Sequence, residues 1–170
     1  YNESVNSKDQ KPFIVKGVLG CEFFICRDHT EKTVKDNGYR QVFLAKNKHG
    51  YHNLAKMSSV GFVDGFYYVP RIDKSLVEQY KEGLIVLSGG LKGEVSDLIL
   101  NVGEKQAEEA FVWWKNNFGE DFYVELVRHG LEEEEIVNEV LLRFAKKHGV
   151  KEVAANNTYY LSKEDANAHD

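Results

Sequence analysis

The chain has 170 residues and a formal net charge of −5, because 22 Lys and Arg residues stand against 27 Asp and Glu residues. Apolar residues make up 42% of the sequence, enough to bury the core of one domain, which argues against intrinsic disorder. The acidic balance excludes a surface that coats nucleic acid in general, and the longest aliphatic run, 84–87, is too short to cross a membrane.

The cysteines and the first residue indicate what kind of chain this is. Cys21 and Cys26 lie in an apolar stretch and do not make a disulfide framework, so we interpret them as reduced thiols of a cytoplasmic protein. The chain starts at Tyr1 and its single methionine is Met57. We therefore expect residues 1–170 to be one domain that continues beyond both ends in a longer protein.

The first part of the sequence predicts two strands and a helix after an exposed start. Residues 1–11 are polar and without periodicity, which predicts a loop or frayed start. Apolar residues within 13–26 and again at 41–45 predict strands, and the charged residues 28–38 between them predict a solvated loop. Apolar positions at helical spacing over 51–58 predict a helix after the second strand.

The middle of the chain repeats this alternation. Ser75 is predicted to cap a helix that runs to Glu82, with Gly83 directly behind it. The aliphatic run 84–87 predicts the next strand. Two apolar stripes at helical spacing then predict two helices: Val95, Leu98, Ile99 and Val102, followed by Ala107, Ala110, Phe111, Trp114 and Phe118.

The last part predicts two more strands and two helices. Residues 122–127 and 150–155 are the strand candidates. The helix between them begins with the acidic residues 132–135 and ends with basic ones, which complements the helix dipole, so we interpret the acidic run as a solvated helix start and not a metal cluster. Ser162 and Asp165 have the spacing of a capping box that opens a last helix.

Strands that are aliphatic throughout and alternate with helices indicate an α/β fold with a mostly parallel sheet covered by helices. Only about five strands are visible, whereas a closed barrel of this class needs about seven or eight. A closed barrel would therefore need strands from outside this chain.

Several strings, in this order, resemble one known family: GCEFF (20–24), FLAKNKHGYHNLAKMSS (43–59), GFYYVPRID (65–73), EGLIVLSGGLKGE (82–94), VNEVLLRFAKKHGV (137–150) and TYYLSKEDANAHD (158–170). The family is the PHP (polymerase and histidinol phosphatase) domain of bacterial DNA polymerase III alpha subunits. The resemblance implies an incomplete, distorted, TIM-like β/α barrel at the N-terminal end of a large polymerase. It also implies that the first strands, with the histidine motif of the family, lie upstream of Tyr1.

The resemblance also gives a test of metal binding. Active members of the family resemble binuclear or trinuclear phosphoesterases, with His, Asp, Glu and Cys ligands at the C-terminal ends of the strands. Of five positions that can be aligned, only Glu22 keeps its ligand; the others carry Arg40 for histidine, Gly90 for cysteine, Asn157 for aspartate and Tyr159 for histidine. Because these replacements coordinate poorly or not at all, the resemblance implies a vestigial site with no catalytic and no metal-binding residues.

Two further expectations concern the same site. We expect the Arg40 guanidinium to pair with Glu22 in place of the metal ions and to form a hydrogen-bonded plug at the barrel mouth. His129 precedes Gly130 at the end of a predicted strand, where barrel enzymes place functional groups. It is therefore a candidate for lining the pocket, and a turn residue otherwise.

The resulting functional hypothesis is a metal-free structural and docking domain of a replicative polymerase, without a cofactor of its own. Magnesium would serve the separate polymerase domain of the parent protein. The expected partners are the remaining polymerase domains, the proofreading exonuclease subunit by resemblance, DNA through the parent protein, and a second copy through the open side, but no membrane.

Two alternatives remain open from the sequence. The first is a metal-dependent phosphoesterase or proofreading 3′–5′ exonuclease that uses unorthodox ligands. The second is an independent small-molecule or nucleotide-binding α/β protein. Bound metal would distinguish the first alternative from our hypothesis, and the surrounding reading frame would distinguish the second.

Overall fold

Six strands and six α-helices lie within residues 16–169, which are the part of the chain that the computed structural model describes. The strands are β1 (Gly20–Cys26), β2 (Tyr39–Ala45), β3 (Arg71–Asp73), β4 (Leu84–Leu87), β5 (Phe122–Leu126) and β6 (Lys151–Ala154). The helices are α1 (Lys48–Val63), α2 (Lys74–Tyr80), α3 (Glu94–Asn101), α4 (Glu104–Phe118), α5 (Glu132–His148) and α6 (Ala166–His169). None of these helices combines the length and the apolar character needed to cross a membrane. The loop predicted over 1–11 lies outside the described residues.

The strands form one mixed sheet in the order β3-β1-β2-β4-β5-β6. Strand β2 runs antiparallel to both of its neighbours, β1 and β4, whereas β3–β1, β4–β5 and β5–β6 are parallel pairs. The expectation of an α/β fold with a mostly parallel sheet is therefore confirmed. Within residues 16–169 the sheet stays open, with β3 and β6 at its edges, and does not close into a barrel.

Strand β3 was missing from the sequence prediction because two of its three residues are charged. The Arg71 side chain is nevertheless only 1% exposed. Its guanidinium donates hydrogen bonds to the carbonyl oxygens of Gly65 (3.1 Å), Asp36 (2.9 Å) and Glu31 (2.8 Å). These bonds satisfy a buried charge and attach the loop over 28–38 to the sheet edge. Most side chains of this loop are exposed, so the prediction of a solvated loop is confirmed, although its backbone is fixed by Arg71.

The start of α2 also differs from the prediction. Asp73, not Ser75, is the N-cap, and its Oδ1 accepts hydrogen bonds from the Leu76 backbone N–H (3.1 Å) and the Ser75 hydroxyl (2.6 Å). The helix ends at Tyr80, two residues before the predicted end at Glu82. Asp and Ser cap helices about equally well, but the charge of Asp73 also complements the helix dipole, which favours it as the cap.

The hydrophobic core lies between one face of the sheet and the helices. Alternate strand residues such as Phe23, Phe43, Val86 and Val124 are buried there because successive side chains of a strand point to opposite faces. Trp114 of α4 is fully buried in this core, as its apolar stripe predicted, and its indole N–H donates to Glu94 at 2.8 Å. The intervening strand residues are left to line the opposite face.

Candidate functional site

The sheet face opposite the core carries a cavity of about 320 Å³. The structure places in its lining all six positions that the sequence singled out: Glu22, Arg40, Gly90, His129, Asn157 and Tyr159. Lys92, Glu125 and Glu134 also line it, and none of these three was expected there. The cavity is therefore the candidate site, and the assignment of its residues as vestigial metal ligands stays a prediction.

Strand direction explains why positions so distant in sequence meet. Strands β1, β4, β5 and β6 run in the same direction, so the segments that follow them emerge at one edge of the sheet. Gly90 follows β4, His129 follows β5 and Asn157 follows β6. Because β2 runs the opposite way, its first residues lie at this edge, where the Arg40 backbone N–H donates to the Lys92 carbonyl at 2.9 Å.

Glu22 and Arg40 form an ion pair at the mouth of the cavity. The Arg40 Nη1 and Glu22 Oε1 atoms are 3.6 Å apart, as the sequence-based pairing predicted. Both side chains are 48% exposed, however, and the separation is beyond hydrogen-bond range. The expectation of a hydrogen-bonded plug was therefore wrong. Because water solvates both charged groups, a closer contact between them would add little stability, and the cavity stays open.

Glu125 is a carboxylate in the cavity that the sequence analysis missed. Burial raises its pKa, and the negative charge of Glu22 raises it further. Its Oε2 atom is buried and has no hydrogen-bond partner among the described residues. One signal could have found it, since Glu125 is the single charged residue within the apolar run 122–127.

His129 joins the start of α5 to the segment that follows β6. Its Nδ1 lies 2.8 Å from Glu134 Oε1, its Nε2 lies 3.2 Å from Asn156 Oδ1, and its backbone N–H donates to Glu134 Oε2 at 2.6 Å. The hydrogen bond to Glu134 raises the pKa of His129. The backbone N–H of His129 in turn lowers the pKa of Glu134, so the pair favours an imidazolium beside a carboxylate.

The position of Glu134 corrects the interpretation of residues 132–135 as a solvated helix start. Glu132, Glu133 and Glu135 are exposed, but Glu134 is only 5% exposed. Its carboxylate is the partner of His129 and also accepts from the Leu131 backbone N–H at 3.5 Å. One of the four acidic residues therefore belongs to the cavity, and the other three fit the prediction.

The aligned positions of the cavity offer few ligands for a cluster of two or three metal ions. Glu22 already faces the fixed positive charge of Arg40, which has no lone pair to donate. Gly90 offers no side-chain donor, and Asn157 offers only a neutral amide. Burial raises the pKa of Glu125, which makes its charged form, the form that binds metal ions, less favourable than in an exposed glutamate. No metal-dependent step follows from this arrangement.

A second cluster with metal-ligand spacing, Asp28, His29 and Asp73, lies away from the cavity. His29 Nδ1 is 2.5 Å from Asp73 Oδ2, and the His29 backbone N–H donates to the same oxygen at 3.2 Å. Burial by itself would raise the pKa of Asp73, but hydrogen bonds from Ser75 and His29 outweigh it and lower that pKa to about 2. Because both Asp73 oxygens already serve the α2 cap and the loop, we interpret this cluster as a structural anchor.

Comparison with known proteins gives a consistent family. A sequence model of the PHP domain matches residues 1–129. The DNA polymerase III subunit alpha of Borreliella burgdorferi is 40% identical over 169 residues, covering 96% of this chain and 15% of that protein. The Campylobacter jejuni subunit is 36% identical, and the match covers 92% of this chain and 14% of that protein. The Thermus aquaticus subunit is 38% identical, and the match covers 92% of this chain and 13% of that protein. The chain thus spans only 13 to 15% of the length of these relatives.

Proposed function

Because the chain belongs to the PHP domain family, and DNA polymerase III alpha subunits match it over most of its length, we propose that it is a metal-free structural and docking domain of such a subunit. The family resemblance inferred from the sequence strings is thereby confirmed, and the homologues imply a place in DNA replication. We propose in addition that the domain holds no metal ion and that it binds other proteins.

The proposal extends to the protein around the domain. The parent chain would extend DNA from deoxynucleoside triphosphates with magnesium in a separate polymerase domain, in the cytoplasm. The open sheet would be part of the distorted barrel of the family, completed by further strands. The remaining polymerase domains and a proofreading exonuclease subunit are the proposed partners, and DNA would be contacted through the parent protein.

The contact between Glu22 and Arg40 is the observation that carries the proposal. Each of the two residues occupies an aligned ligand position, and the two charged groups are 3.6 Å apart. A divalent cation needs the Glu22 carboxylate as an anionic ligand, while the Arg40 guanidinium both competes for that carboxylate and repels the cation. A protein cation thus takes the place that metal ions hold in active relatives.

The alternative of a metal-dependent phosphoesterase or 3′–5′ exonuclease draws support from one feature of the cavity. Glu125, His129 and Glu134 add two carboxylates and an imidazole to Glu22. Two of these three groups, His129 and Glu134, are already hydrogen-bonded to each other, however, and burial raises the pKa of the third, Glu125, which makes its metal-binding charged form less favourable. Metal content decides between the two functions.

The test is elemental analysis of the full-length protein after dialysis, with and without added zinc or manganese. Glu22→Gln serves as the matched control, because it removes the aligned carboxylate and leaves other metal sites of the parent protein intact. We expect the content of each metal to be the same in the unmodified protein and in the variant, so that any metal found belongs to the other sites. A full equivalent of metal that Glu22→Gln abolishes would overturn the proposal.

A further inference from the structure

A groove of about 520 Å³ lies along α5, on the far side of Glu134 from the candidate site. The loop after β5 forms one wall through Arg128 and Gly130. The other wall is α5 itself, from Leu131 to Leu142. We refer to this surface as the α5 groove.

Two exposed leucines give the α5 groove an apolar surface. Leu131, Asn138 and Leu142 follow one another at spacings of seven and four residues, which places them on one face of the helix. Leu131 is 48% exposed and Leu142 is 38% exposed, although both are large apolar side chains. The Asn138 amide is turned away to the Val127 carbonyl, to which it donates at 2.9 Å, so the two leucines provide the contact surface.

An acidic edge runs beside these leucines. Glu132, Glu135 and Glu139 have the spacing i, i+3, i+7, so they lie on the flank of α5 next to the leucine face. Within residues 16–169, none of the three forms an ion pair. Arg143, the nearest cation along the helix, is directed to Glu104 at 2.9 Å. Arg143 also interacts electrostatically with Glu139, and Arg128 places one cation on the opposite wall of the groove. The three carboxylates outnumber these charges, so the edge keeps a net negative charge.

The leucine face and the acidic edge determine which kind of molecule can bind in the groove. Negative charge along the groove repels nucleic-acid phosphates and acidic segments. It attracts a segment that carries Lys or Arg beside an apolar stripe, since the stripe can cover the leucines while the cations face the carboxylates. We propose that the α5 groove is a docking site for a basic amphipathic helix of a protein partner. The inference rests on the docking part of the proposed function and is independent of the metal content of the cavity.

The test uses two short peptides, one a helix with a leucine stripe and lysines elsewhere, the other its twin with glutamate for every lysine. Binding to the full-length protein is followed by fluorescence anisotropy. We expect the lysine peptide to bind to the unmodified protein. The charge-reversal variant Glu135→Lys/Glu139→Lys should bind the lysine peptide about tenfold or more weakly and should bind the glutamate peptide instead. Leu142→Ala should weaken the lysine peptide without changing the preference for charge.

The matched control is Glu133→Lys/Glu152→Lys. It changes the net charge by the same amount, but Glu133 lies on another face of α5 and Glu152 lies in β6. We expect this control variant to bind the lysine peptide as tightly as the unmodified protein does. Equal weakening by both double variants, binding of a single-stranded oligonucleotide that depends on Glu135 and Glu139, or no binding of the lysine peptide would each overturn the inference. None of these outcomes bears on metal content, so the two proposals fail separately.

Discussion

Arg40 is held beside Glu22 by the register of the β1–β2 pair. Arg40 lies directly opposite Phe24, and Glu22 lies directly opposite Val42, so the two charged residues are diagonal neighbours on one face of the sheet. The guanidinium carbon also lies 5.5 Å from the centre of the Phe24 ring. The cation at the cavity mouth is therefore positioned by strand pairing and an aromatic face as well as by charge.

The first prediction concerns the strength of this pair. Since both side chains are 48% exposed, a double-mutant cycle with Glu22→Gln and Arg40→Gln should give a coupling free energy of only about 0.5 kcal/mol. Urea unfolding at low and high salt measures it, and the coupling should fall at high salt because exposed charges are screened. A salt-independent coupling above about 2 kcal/mol would mean that the pair is desolvated and that the cavity mouth is closed.

The second prediction concerns the ability of this scaffold to hold metal. The combined variant Arg40→His/Gly90→Cys/Asn157→Asp/Tyr159→His returns a donor to each altered position beside Glu22. A Cβ atom at position 90 would have open space around it, so the cysteine should fit without distortion. We expect zinc content, measured by elemental analysis, to rise from far below one to about one or more per chain.

A control for this variant changes the same four positions without adding donors: Arg40→Gln/Gly90→Ala/Asn157→Ser/Tyr159→Phe. It should bind no more zinc than the parent protein. If the donor variant folds normally and still takes up no zinc, then donors at these four positions and Glu22 are not sufficient for metal binding by this scaffold.

Much of the fold could be predicted because its strands and helices carry their own periodicity. The aliphatic strand β4 and the apolar stripe that buries Trp114 need no knowledge of the tertiary structure. Strand β3 could not be predicted, because the burial of Arg71 depends on carbonyl groups supplied by Glu31, Asp36 and Gly65. Such partners are not adjacent in sequence.

Only part of the candidate site could be predicted, for the same reason. The family resemblance supplied Glu22, Arg40 and the positions that follow β4 and β6, since these align with known motifs. Glu125 and Glu134 are not part of these aligned motifs, and the single charge of Glu125 within the apolar run 122–127 does not show which cavity it joins. Glu125 joins the site because the sheet order places β5 beside β4, and Glu134 because the first turn of α5 faces His129.

The third prediction concerns the stability contributed by Asp73. Its pKa is lowered from 3.8 to about 2 in the folded protein, so its contribution is complete above the unfolded value and is lost as the pH falls toward 2. Asp73→Asn can still cap α2 but carries no charge. We expect it to lower the free energy of unfolding by about 2 kcal/mol at pH 6.

Urea unfolding of the parent and the Asp73→Asn variant across this pH range measures the difference. It should stay near its pH 6 value down to about pH 5 and then shrink toward zero as the pH falls through the folded pKa of about 2. A constant difference at every pH would show that the substitution acts through packing and that the Asp73 carboxylate has no special stability when charged.

The fourth prediction concerns protonation of His129. Its hydrogen bond to Glu134 raises the pKa of His129 above the ordinary 6.5, so the stabilising pair is complete below that value and is lost as the pH rises through the raised pKa. Proton NMR titration of the imidazole should place its midpoint above 6.5 in the parent. Glu134→Gln should move the midpoint down, because the amide cannot stabilise the imidazolium as a carboxylate does.

The five other histidines of residues 1–170 provide the internal control for this titration. Their curves should superimpose in the parent and the Glu134→Gln variant, since His129 is the histidine that contacts Glu134. Asn156, whose Oδ1 lies 3.2 Å from His129 Nε2, should report the same midpoint through its side-chain amide resonances. If the midpoint of His129 stays where it is in the variant, then Glu134 does not set the charge of this residue, and the link between α5 and the segment after β6 has another origin.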